Sequence, residues 1–99
     1  MTYLDELAAE IEQQLPSDLL PDENPKLLYR LYALLALIKG TGVTDVDVHN
    51  AWATWMAERD PDHRFIRPFV ELEPEVRATD EPFAEAIRVV AGRHGLYPA

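Results

Sequence analysis

Pro25-Lys26-Leu27-Leu28-Tyr29-Arg30-Leu31-Tyr32-Ala33-Leu34-Leu35-Ala36-Leu37-Ile38-Lys39, closed by Gly40, is the stretch that decides the fold. Apart from Arg30, every residue from Leu27 to Ile38 is apolar or aromatic. Leu and Ala are strong helix formers. Asn24 and Pro25 read as N-cap and first helical residue, and Lys39 complements the negative end of the helix dipole. The run is shorter than the ~20 apolar residues a bilayer span requires. A helix apolar on nearly every side belongs in the middle of a core, contacted by several neighbours.

Working outward, the preceding segment predicts a helix over Tyr3–Leu15, with Leu4, Leu7, Ala8, Ile11 and Leu15 as one stripe. Thr2 and Asp5 form a capping box, with Asp where Glu is usual, and Pro16 stops the helix. Asp5, Glu6, Glu10 and Glu12 make its other face acidic. Pro16 to Glu23 is a connector. After Gly40, the turn Gly40-Thr41-Gly42-Val43 leads to a second Thr–Asp cap, Thr44 with Asp47. A third helix follows over Asp45–Arg59, its stripe Val48, Trp52, Trp55, Met56 and Arg59; Asp60-Pro61 ends it. Asp62 to Thr79 has no helical period and is expected to wrap over the tryptophan helix, with room for a short β pair. The last helix starts near Pro82, capped by Thr79 or Asp80, with Phe83, Ile87, Val90, Ala91 and His94 inward and Gly95 just past its end. The expectation is one domain, residues 1–99: a mainly α, compact four-helix fold with the second helix central and an irregular Pro-containing segment before the last.

Composition narrows function. The 99 residues carry 9 Lys+Arg against 18 Asp+Glu, a net charge of −9, with 47% hydrophobic residues. That apolar content supports a folded domain, whereas a nucleic-acid binder needs clustered basic residues. With no cysteine, thiolate metal sites and cysteine nucleophiles are excluded, and Ser17 is the sole serine. The start, Met1 to Glu6, is acidic where a secretory signal is basic, so a cytoplasmic protein without membrane association is expected. Leu-rich helix, turn, helix is also the outline of a helix-turn-helix, but Asp45 and Asp47 at the start of the second helix would repel phosphates. Asp45, His49, Asp60, Asp62 and His63 lack the spacing of a metal motif, and His49 reads as a hydrogen-bonded structural histidine. Glu71, Glu73 and Glu75 have no fixed geometry for acid–base work. Neither a catalytic set, a metal site nor a cofactor is expected.

Arg59, His63, Arg64 and Arg67 fall within nine residues of an otherwise acidic chain, directly after Trp52 and Trp55. Guanidinium forks suit phosphate or carboxylate, and indole faces suit a planar base. The competing reading is that these arginines pair with Glu58, Asp60, Glu71 and Glu73.

Val48-His49-Asn50-Ala51-Trp52, then His63, Ile66-Arg67-Pro68-Phe69-Val70-Glu71-Leu72, Glu75-Val76-Arg77 and Asp80 resembles the ryanodine-receptor-type repeat (RyR domain) over about residues 46–88. The family's Gly-Trp-x-Tyr-Gly segment is replaced here by Met56 to Asp62. The whole chain is also similar to short uncharacterised proteins of actinobacteria and their phages. The RyR resemblance implies a non-enzymatic module linked with nucleotide-type ligands and conflict systems, with a ligand near His49, Trp52, His63, Arg67, Pro68 and Phe69. Together with the basic knot, the expected site is His49, Trp52, Trp55, Arg59, His63, Arg64, Arg67, Pro68 and Phe69, holding a nucleotide-like anion. The alternative is an acidic protein-interaction domain, either a homodimer or an adaptor for a basic partner.

Overall fold

A computed structural model of the chain describes residues 2–16 and 25–98. Four helices of three to four turns dominate: α1 (Tyr3–Gln13), α2 (Lys26–Lys39), α3 (Asp45–Arg59) and, after the one-turn α4 (Pro74–Arg77), α5 (Glu81–Arg93). Ser17 and the Asn24 cap lie outside the described residues, as does most of the connector. Among the described residues there is no strand. The segment expected to hold a β pair is built instead of a 3-10 turn at Phe69–Glu71, α4, and a second 3-10 turn at Ala78–Asp80. Pro68 and Pro74 explain this, since each removes an amide donor that a ladder would need.

Both Thr–Asp capping boxes are formed. Asp5 N–H donates to Thr2 Oγ1 and Thr2 N–H to Asp5 Oδ2, and Thr44 and Asp47 repeat the exchange at α3. Asp5 also receives a fork from Arg30, at 2.8 and 3.2 Å, which ties the start of α1 to α2. Lys39 reaches Asp47 at 3.2 Å and so links α2 to the cap of α3.

α2 touches α1, α3 and α5, and its Leu28, Tyr29, Tyr32, Ala33 and Ala36 are buried. Ala33 and Ala36 meet a core that includes Ala84 and Ala91 of α5, all four fully buried; small side chains let helices approach closely. Ile11, Val48, Ile87 and Val90 fill the rest. One expectation needs correcting: α2 is not covered all round. Its three partners share one side, so Leu27, Leu34 and Ile38 are 51%, 44% and 67% exposed.

The end of α5 is a Schellman closure. Leu96 N–H donates to Ala91 O and Gly95 N–H to Gly92 O, with Gly95 at φ 68°. His94, expected inward, is the exposed C-cap residue and pairs with Glu10 of α1. Leu96 docks rather than frays: its carbonyl accepts from Thr41 N–H at 3.0 Å. It lies so close that a Cβ on Gly40 (φ 56°) would stand 2.3 Å from Leu96 O. Arg88 closes the same corner by donating to Val43 O at 2.9 Å.

Candidate functional site

The Thr44 cap sets the start of α3, and the helix then places His49 and Trp52 three residues apart on one side, with Trp55 one further step along. His49 is 3% exposed. Its Nε2 lies 2.7 Å from the backbone carbonyl of Arg67. A carbonyl only accepts, so Nε2 carries a hydrogen, and Nδ1 is the nitrogen left facing Asp80. The hydrogen bond also pins the irregular segment to α3. Aromatic contacts continue outward: Trp52 stacks on His49 with centroids 5.8 Å apart, His63 meets Trp52 edge-on at 5.1 Å, and Phe69 tilts against His49 at 6.0 Å. His63 is fixed through its Nδ1, which accepts from Phe65 N–H.

Beside this cluster lies a cavity of about 230 Å³ between α2, α3, the irregular segment and the start of α5. His49, Trp52, Trp55 and Phe65 line it on one side, Leu28 and Tyr32 of α2 on another, and Val76, Thr79, Asp80 and Phe83 complete it. The exposed Thr79 and the half-buried Trp52, Phe65, Val76 and Phe83 connect it to solvent. It is smaller than the ~300–1,000 Å³ usual for drug-sized ligands, so it suits one planar ring system.

Asp80 is its most unusual member. Expected as a cap, it stands at the N-cap position of α5 but makes no side-chain capping bond. Its side chain is 14% exposed, and His49 Nδ1 stands 3.9 Å from Asp80 Oδ2, within ion-pair reach when the ring is protonated but too far for a hydrogen bond. Burial pushes its carboxyl up to about 6; His49 opposes this and the Asp45 carboxylate adds to it. Burial also raises the Tyr32 hydroxyl far above the usual phenol range, and the Asp80 charge contributes. The Thr79 hydroxyl is occupied in donating to Val76 O.

The family model for DUF7701, a domain of unknown function, matches residues 2–92. The chain belongs to this family. The DUF7701 match overturns the resemblance to the RyR domain: it runs through the N-terminal helices as well as residues 46–88, and no RyR repeat is found. The residues that carried the resemblance have packing roles of their own, as the His49–Arg67 bond and the Trp52 and Phe69 contacts illustrate. No curated protein and no solved structure is detectably similar to this DUF7701 chain. None of its described helices is long and apolar enough to cross a membrane.

Of the nine residues picked from the sequence, His49, Trp52 and Trp55 line the cavity. His63 and Phe69 support those rings from behind. Pro68 is the exposed residue that opens the 3-10 turn. The three arginines do not line it. Arg67 donates to the carbonyl of Glu71, while Arg59 lies 4.5 Å over the Trp55 ring and Arg64 4.7 Å over Phe65. Sequence reasoning missed Leu28, Tyr32, Phe65, Val76, Thr79, Asp80 and Phe83 as cavity residues. Asp80 had a signal, an acidic residue just before Pro82, but a helix cap gives the same one.

Proposed function

We propose that this DUF7701 domain is a non-catalytic binding module for a small nucleotide-like ligand, whose planar ring enters the cavity while its anionic group stays at the rim. The observation that carries this reading is the relation between the arginines and the cavity wall. Trp55 and Phe65 each present a ring to the cavity and carry a guanidinium, Arg59 and Arg64, on the ring itself. The two cations therefore stand one aromatic side chain away from the cavity and make the potential at its rim positive. The interior, with Asp80, repels phosphate; the rim attracts it.

Both tryptophans line the cavity, so their fluorescence is the direct readout. Titration with nucleosides and nucleoside monophosphates is expected to give a saturable change. The double substitution Arg59→Ala/Arg64→Ala should weaken the monophosphates about tenfold while leaving the nucleosides nearly unaffected. Flat titrations with every compound up to millimolar concentration remove the reading.

A second reading, an adaptor for a basic partner, is favoured by a separate groove. Tyr3, Leu7, Leu37 and Leu96 supply apolar surface between α1, the end of α2 and the segment after α5, and Glu6, Glu10 and its partner His94 edge it. An amphipathic basic segment complements such a groove. Recovery of a partner whose binding weakens steeply with salt supports it; a strict monomer with no basic partner recovered counts against it. Duplex DNA is the least favoured ligand, because the first turn of α3 presents Asp45 and Asp47.

A further inference from the structure

A buried or half-buried carboxylate is normally hydrogen-bonded or paired. Asp80 accepts no hydrogen bond among the described residues: His49 Nδ1 is 3.9 Å away, beyond hydrogen-bond reach, and Asp80 does not cap α5. The nitrogen facing it is His49 Nδ1, because Nε2 is committed to the Arg67 carbonyl. This end of the cavity therefore sets a carboxylate that accepts no hydrogen bond from the described residues within apolar and aromatic walls. A ring that fills the cavity completes this carboxylate by bringing donors.

Resting on the reading of the cavity as a ring-binding site, we propose that its inner end selects a ring edge with two adjacent N–H donors, the amidine-type edge of guanine, with both donors going to the Asp80 carboxylate. The ring N–H and the exocyclic amino group of guanine match the two carboxylate oxygens in a parallel pair. Hypoxanthine keeps one of the two donors. Adenine turns a ring-nitrogen lone pair toward the carboxylate and is rejected, since a site built to pair a donor leaves its own buried group unpaired when the donor is missing. The upward displacement of the Asp80 carboxyl by burial fits a group whose partner is supplied from outside.

The test measures dissociation constants of GMP, IMP and AMP by tryptophan fluorescence, on the full chain and on Asp80→Asn, with a thermal melt to establish that the variant is folded. The expected order is GMP, IMP, AMP, with at least tenfold between first and last, and Asp80→Asn loses that preference. AMP binding as tightly as GMP, or a folded Asp80→Asn that keeps the preference, overturns the inference while leaving the ring-binding reading in place. Silence with all three nucleotides strikes that reading instead, and benzamidine, which carries the same donor pair without a phosphate, then decides the inference. A saturable benzamidine response abolished in Asp80→Asn sustains it, and no response ends it.

Discussion

Asp5 on α1 and Asp80 before α5 are the same side chain in opposite surroundings. Asp5 accepts from Thr2 and takes a two-pronged contact from Arg30, which hold its carboxyl well below the usual carboxylate range. Asp80 accepts no hydrogen bond among the described residues and is pushed the other way by burial, to about 6. The regions around them differ in the same sense. Where α1, α2 and α5 meet, aliphatic, alanine and tyrosine side chains fill the space, the Arg30–Asp5 and His94–Glu10 pairs close its border, and the buried Tyr29 hydroxyl is the one group there left without a partner among the described residues. Where α3 faces the irregular segment, aromatic rings enclose space and a carboxylate lines it without a hydrogen bond. A carboxylate kept at a cavity wall costs stability, so it marks a part of the molecule that packing alone does not explain.

The contrast breaks first through the aliphatic region. Ile87→Ala removes a fully buried side chain from α5 and should cost about 3 kcal/mol, measured by denaturant unfolding. Because Ile87 does not line the cavity, ligand response per folded molecule should be unchanged.

Asp80→Asn should do the reverse, stabilising the fold at pH 7 by roughly 1–2 kcal/mol once the screening of a half-buried group is allowed for. The sign follows from the proton count. Between its ordinary value of 3.8 and about 6 the folded Asp80 binds a proton that the unfolded chain has released, so its contribution falls as pH rises through that window. The variant should lose that decline. Asp45, also raised to about 6 by burial and by its contact with Glu81, adds a slope of the same sign, and Glu81, lowered by that contact, one of the opposite sign. For Asp5 the sign is opposite: its stabilisation is present above pH 3.8 and is lost as the carboxylate protonates below it. Thermal melts of the wild type, Asp80→Asn and Asp5→Asn across pH 3 to 7 check the signs for Asp80 and Asp5.

The smallest effect sharpens the comparison. Thr44→Ala deletes the capping hydroxyl of α3 and should cost about 1 kcal/mol in the same unfolding assay. Its helix carries His49 and both tryptophans, so a concurrent loss of ligand response would show that the cavity depends on the register of that one helix start.

How much of this was legible from residues alone follows the same division. The helices and both capping boxes were readable because a 3.6-residue stripe and a Thr–Asp spacing are local signals. The exposed outer side of α2 was not, because an all-apolar helix does not reveal how many neighbours it will have. The cavity was half readable. His49, Trp52 and Trp55 share a helix and could be grouped by spacing, whereas Tyr32, Phe65 and Asp80 come from three separate elements that only the tertiary fold brings together. The arginine knot showed as charge in the sequence, but spacing did not reveal that Arg59 and Arg64 lie on rings of the cavity wall and that Arg67 turns to the Glu71 carbonyl, so none of the three lines the cavity.

The hydrogen bond from Thr41 N–H to Leu96 O joins the turn after α2 to the end of α5, across a glycine that tolerates no side chain. A turn amide ordinarily exchanges its hydrogen with water quickly. This one is released only when the last turn of α5 lifts away from the middle of the chain. Thr41 is thus a built-in reporter of cooperativity: its exchange rate reads whether the two parts of the molecule open together or one at a time.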